Sequence, residues 1–514
     1  MKNLKYWLAM AFVGQASYGF AQYEVDALRF SQNQPSGTAR TLGIGGANSA
    51  VGADLSSLVT NPAGLGLYQR SEFSFTPGLG LGSTESKAFG TTTTDSRNSL
   101  HVASLGAAFV NRRPDSDGSD WRNGTFAIGF NRINDYNQRF RYRGTPALNQ
   151  DILQRLADPV NSVADVVAQD NSQSYYSLDG LAYGAFLTDR FTNRQGQDSL
   201  GLSTPFTTTG ALQQDETVLT TGSQTQFDFG YGASYRDRLY LGGAIGIVST
   251  RYNSTSVITA SEATPDANTA FNSLNYRDVL ETRGSGINLR VGAIYRVNDA
   301  VRVGASIQTP TWMRLSESYS SSLSANFDRP LVVDGQSYSS RTASSDPSEF
   351  NYVLTTPFKA TGGVAVVIGK YGFLSGDVEY LNYSQARLSN DTNNDLVGGT
   401  DYDFSASNDA VRSLYRSAVN VRVGGELRFD IFRVRAGYAR YGDAYKQNDF
   451  DRTQNYFTGG VGLRQKNFFL DAAAVYGTSK RFYSPYTLSE AGAAPVVSID
   501  GNKYTTTVTA GFLF

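Results

Sequence analysis

The 514-residue chain contains no cysteine, one histidine and three methionines. Without cysteine there is no disulfide framework, no thiolate metal site and no lipid anchor on a cysteine. A Ser-His-Asp triad would have to be built on His101, and a transition-metal site has too few soft ligands. Residues 22–514 hold no apolar run of about 18 residues, so no helix is expected to cross a membrane. The net charge is −1, which gives no reason to expect a nucleic-acid partner. No glycine-rich loop joins a strand to a helix, so nucleotide binding has no support.

What is abundant is glycine (52), tyrosine (31) and phenylalanine (30). The mean hydropathy of −0.32 would suit a soluble protein. A transmembrane barrel escapes that inference, because only alternate strand residues meet lipid. Alternation of this kind recurs. Phe227, Phe229, Tyr231, Ala233 and Tyr235 interleave with Asp228, Gly230, Gly232 and Ser234. Ile287, Leu289, Val291 and Ala293 interleave with Asn288, Arg290 and Gly292. The last residues, Tyr504 to Phe514, alternate too and close on a terminal Phe. That ending resembles the final strand of a bacterial outer-membrane barrel, where it implies recognition by the barrel assembly machinery. At the other end, Lys2 and Lys5, the apolar run Tyr6–Val13, and Gly19 and Ala21 predict a signal peptide over 1–21. Cleavage would leave 514 − 21 = 493 residues.

Short turns alternate with long polar segments. The turns lie at Arg236–Arg238, Asn298–Asp299, Gly369–Gly372, Asp430–Ile431 and Gln465–Asn467. The polar segments lie near 135–224, 252–284, 310–355, 385–414, 443–455 and 479–502. Short periplasmic turns and long extracellular loops are the outer-membrane pattern. The expected fold is all-β, a transmembrane antiparallel β-barrel of about fourteen strands over 72–514. The segment 175–187 is left out of the wall, because an odd strand would put every later turn on the wrong side. On parity, His101 is expected to face lipid or the rim, together with Leu105 and Phe109.

Residues 22–71 do not read as strands. Small residues dominate Ser36–Asn48 and Ala50–Tyr68. Such a segment can fold within a confined lumen, and a barrel of this size leaks unless filled. We read it as an N-terminal hatch plugging the lumen.

Three stretches then carry a specific resemblance. Gly37-Thr-Ala-Arg40 with Asn61-Pro62-Ala63-Gly64, Gln308–Tyr319, and Thr356–Ala365 continuing to Ser384 resemble the FadL/TodX long-chain fatty-acid and hydrocarbon transporter family, in its Bacteroidetes branch. The resemblance covers nearly all of Tyr23–Phe514. It implies loop capture of a hydrophobic molecule, a luminal site, and hatch-controlled lateral release near an inward-kinked third strand. Asn61, Pro62, Ala63 and Gly64 become a hatch motif, read locally as a tight turn. Gly124 and Gly129 in the third strand either mark a bend or close backbone approach, or simply line a crowded lumen. Phe271, Leu274, Trp312, Met313 and Leu315 are candidates for an outer binding groove. Inward cations, Arg290 and Arg422 among them, are candidates for a carboxylate head group, although inward carboxylates such as Asp377 and Glu379 are present too, so most of these charges are expected to pair across the lumen or hold the hatch. The expected partners are the outer-membrane bilayer and a hydrophobic small molecule, with the chain acting as a monomer. No enzyme activity, metal or cofactor is expected, and haem would find little in a lone His. The alternative is a FadL-like protein-binding shuttle or structural barrel of a type IX secretion system.

Overall fold

The computed structural model describes residues 23–514 except 115, 148–149, 193–195, 197, 204–210, 265–268, 392–401, 449 and 490–493. The predicted signal peptide lies outside the described residues.

The wall opens with β1 (Glu72–Ala88), β2 (Thr91–Arg112), β3 (Trp121–Asp135) and β4 (Gln138–Gly144). A separate hairpin, β5 (Thr188–Thr192) and β6 (Asp198–Leu202), stands apart. The wall continues with β7 (Leu212–Tyr235), β8 (Leu239–Glu262), β9 (Phe271–Arg296), β10 (Val301–Gln308) and β11 (Trp312–Val333). Next come β12 (Gln336–Ser344), β13 (Ser348–Thr355), β14 (Lys359–Ile368), β15 (Gly372–Asn382) and β16 (Arg387–Asn390). It ends with β17 (Ser417–Phe429), β18 (Phe432–Tyr441), β19 (Gln454–Arg464), β20 (Phe468–Tyr483) and β21 (Val497–Leu513).

β9 pairs with β10 and then β11, so these two form one interrupted wall strand. β13 with β14, and β15 with β16, are interrupted at neighbouring positions. β3 and β4 likewise share the partner β7. Counted in this way the barrel has 14 strands. β21 pairs with β1, from Glu72↔Leu513 to Lys87↔Ser498, which closes it.

The outer face carries a belt of exposed apolar side chains, among them Phe229, Ile245, Leu289, Val421 and Phe512. An apolar surface this extensive is not left in water. With every wall strand paired and no helix among the described residues long and apolar enough to span, this is a membrane-spanning barrel of the outer-membrane type. The five short turns fall at the positions expected.

The long segments differ from expectation. β8 runs to Glu262 and β9 starts at Phe271, so most of 252–284 is paired strand. Much of 310–355 is strand as well. Outside the membrane the outward strand face meets water instead of lipid, so Ser/Thr-rich sequence pairs there without an apolar outer face, while Ile258, Phe271, Leu274 and Leu323 pack inward. This extension is an outer collar. The segment between β4 and β7 forms helices α3 (Ile152–Ala157), α4 (Val163–Ser172) and α5 (Leu178–Gly184), preceded in the chain by α1 (Tyr23–Arg29) and α2 (Ala39–Gly43). Residues 175–187 add no strand to the wall.

Candidate functional site

Residues 23–70 lie against the inward face of the wall. Asn61 caps a 3-10 turn over Pro62–Leu67, its Oδ1 accepting from Ala63 N at 3.1 Å. Its Nδ2 donates to Ser49 O at 2.7 Å and to the wall carbonyl of Ala293 at 3.3 Å. A Cβ on Gly242 would lie 2.3 Å from Pro62 O, so the wall admits this turn only because a side chain is missing there. Polar bonds fasten the rest. Ser306 Oγ donates to Thr60 O (2.8 Å), Ser375 Oγ to Ala47 O (2.8 Å), and Asp377 accepts from Ser49 N (3.0 Å).

Arg290, the first head-group candidate, is paired. Its Nη2 meets Asp228 Oδ1 at 2.5 Å and its Nη1 donates to hatch carbonyl Leu58 O at 2.7 Å. Arg422 pairs with Glu379 at 2.8 Å. Both border a cavity of about 70 Å³ with Lys359, Gln308, Thr361 and Tyr441, beneath hatch residues 33–36. Lys359 was missed in the sequence reading. It stands at the start of β14, just after the Pro357 interruption, where alternation gives no parity.

Above this cavity the lumen is closed by apolar packing. Tyr23, Leu28 and Phe30 of the hatch meet Met313, Leu315 and Tyr352 of the collar. Tyr352 OH donates to Asp26 Oδ2 at 2.7 Å and lies 3.5 Å from Glu317 Oε2. Glu317 sits beyond the outer rim, and burial, reinforced by the neighbouring Asp26 charge, raises its pKa.

The groove candidates do not share one surface. Trp312 is 46% exposed on the outer rim, since neighbours in a strand point to opposite faces. Met313 and Leu315 pack on the hatch, whereas Phe271 and Leu274 join a second cluster with Ile152 and Leu181 of the helical segment.

The third strand does turn inward, but not at Gly129. Gly129 pairs in register with Gly106 and Asp228, and its missing side chain leaves room for Leu58, 2.7 Å from an added Cβ. The turn comes at Tyr136–Asn137, between β3 and β4. The β2–β3 ladder runs only from Arg112↔Asn123 to Ser104↔Asn131. Beyond it, β4 remains bonded to β7 but crosses the inner face of the β1–β2 hairpin, with Thr84 Oγ1 donating to Arg139 O at 2.8 Å. Among the described residues, β2 has no ladder partner on this side from Thr91 to Ala103. The hydrogen-bonded wall is therefore interrupted beside β2 over this stretch, with β4 lying across its inner face.

A bulge explains a further difference. Thr76 pairs with Ser104 but Pro77 with Val102, so Ala103 is an extra residue in β2. Leu105 and Leu100 both face outward, and His101 is turned inward. It borders a cavity of about 60 Å³ with Arg132, Asp135, Lys503, Thr507 and hatch residues 34–36. No group of three metal-ligating side chains occurs among the described residues.

No protein-family model matches the chain, and no curated protein matches it. Solved structures do. A Pseudomonas aeruginosa FadL homologue matches with a TM-score of 0.51 at 12% identity, covering 93% of this chain and 99% of that one. The Ralstonia pickettii toluene transporter TbuX matches with a TM-score of 0.50 at 15% identity, again over 93% and 99%. The chain has the fold of these FadL-type barrels.

Proposed function

We propose that this barrel takes up hydrophobic molecules passively across the outer membrane and releases them sideways into the bilayer. The observation that carries the reading is the unpaired edge of β2 from Thr91 to Ala103, which we read as a lateral gap, with a cavity on its inner side walled by hatch residues 34–36. A solute entering through the collar meets the Met313–Leu315 layer, then the cavity near Lys359, then the gap. A buried path suits such cargo, since each CH₂ removed from water is worth roughly 0.8 kcal/mol. The hatch controls the path. It is held by apolar packing of Ile44, Leu55, Leu58 and Leu65 together with hydrogen bonds worth a net ~1 kcal/mol each, and because the wall strands pair with one another it can shift without unfolding the wall. The fold shared with a toluene transporter supports the same class of cargo. In this reading residues 1–21 direct export, 22–71 form the hatch, and Asn61–Gly64 seat it.

The test is uptake of labelled oleate and toluene into outer-membrane vesicles with and without the barrel. The reading expects saturable barrel-dependent uptake, abolished when the gap is bridged by an engineered disulfide between β2 and β3. Uptake unaffected by the bridge would overturn lateral release. No barrel-dependent uptake would overturn the whole reading.

A further inference from the structure

The cavity beside His101 has an unbalanced set of charges. Asp135, at the bend of the third strand, accepts from Arg132 Nη2 at 2.6 Å and also from Lys503 Nζ. Two cations thus share one carboxylate. His101 adds no negative charge. The Arg132 side chain is only 8% exposed, yet its Nη1 has no hydrogen-bond partner. His101 Nδ1 and Thr507 Oγ1, both lining the same space, are buried without partners too. An excess cation and three polar atoms without partners thus face one cavity, where buried donors are ordinarily satisfied.

We infer that this cavity binds the oxyanion head of an amphiphile at the inner mouth of the gap. Arg132 Nη1 and Lys503 would hold the head, while the apolar tail passes Leu100 and Val102, which stand 83% and 38% exposed on the lipid side. The inference rests on the lateral-release reading and narrows it. Cargo with a single charged end is paused and oriented head-in, tail-out, whereas a neutral hydrocarbon passes without stopping. A carboxylate travelling from the lumen and a lipid phosphate entering from the bilayer share this chemistry.

The test compares binding of oleate, oleyl alcohol and a short-chain phosphatidic acid to the full-length barrel in detergent, for wild type and Lys503→Met. Heat-modifiable gel mobility verifies folding. Loss of a charge-assisted bond predicts oleate binding weaker by about tenfold or more, with oleyl alcohol unchanged. Loss for phosphatidic acid alone, with oleate unaffected, assigns the site to a membrane lipid and overturns its role for cargo. Equal oleate binding by both proteins overturns the site while leaving the transport reading intact. No binding of oleate or alcohol to wild type overturns both. Should Lys503→Met not fold, wild type is cross-linked with an oleate analogue carrying a diazirine beside its carboxylate. Adducts within 99–103 or 132–136 support the site, and adducts only elsewhere refute it.

Discussion

Gly292 and Asn61 compete for the same space: a Cβ on the wall glycine would lie 1.9 Å from the hatch amide oxygen. Overpacking of this kind costs about 1–3 kcal/mol, and here it is relieved by turning the Asn61 amide out of its bonds to Ala63 N, Ser49 O and Ala293 O, which unfastens the hatch turn. Gly292→Ala should therefore raise the conductance of the barrel in planar bilayers. Gly362→Ala, a wall position with nothing within 4 Å of the added carbon, should not. Equal conductance in the two variants would mean that the turn does not seal the lumen.

Breaking the Arg290–Asp228 pair should be costly. Both side chains are almost fully buried, at 2% and 0% exposure. Arg290→Met leaves Asp228 charged and unpaired, an error of about 3–5 kcal/mol, and also frees Leu58 O. Urea unfolding in vesicles should register the loss, and Arg290→Met with Asp228→Asn should recover much of it. No recovery would show that the hatch contact, rather than the ion pair, matters.

Docking of α1 should weaken with rising pH. Glu317 holds its proton up to about 8 in the docked state, against an ordinary value of 4.5, because it is buried and faces Asp26. Arg29 and the Tyr352 hydroxyl also face it, and neither removes the effect. The docked state binds the extra proton, so the contribution of Glu317 is fully present below pH 4.5, falls through the interval and is gone above about 8. Thermal unfolding between pH 4 and 9 reads this, with the apparent Tm declining in wild type and flatter in Glu317→Gln. A parallel decline in both would place the titration elsewhere.

Met313 and Trp312 are neighbours with opposite surroundings. Met313→Ala removes a fully buried side chain from the layer under α1, at about 2–5 kcal/mol, and should alter oleate binding. Trp312→Ala, at the outer rim, should leave binding unchanged. The reverse result would restore Trp312 to the path.

The wall was readable because each spanning strand repeats one elementary constraint, apolar outside and small or polar inside. Arg290, Asp377 and Glu426 sit inward as parity requires. That constraint ends at the membrane surface, and the collar strands, rich in Ser and Thr, looked like loops. A single bulged residue, Ala103, was enough to reverse the facing of His101. The bend at Tyr136–Asn137 carries no local signal, being set by what β4 crosses. The charged cavity beside it draws on β2, β3, β19, β20 and β21, and no spacing in the chain announces such a meeting.

The interruptions at Thr309–Thr311, Thr356–Phe358 and Tyr383–Ala386 fall side by side on three adjoining strands. A hydrogen-bonded sheet is stiff along its rows and yields where they are interrupted. Together the three breaks form a crease across this part of the wall, immediately above Lys359 and below Met313. On these three strands the collar and the staves in the bilayer are therefore separate hydrogen-bonded blocks, held across the line by bonds such as Thr356 N to Thr311 O at 3.0 Å.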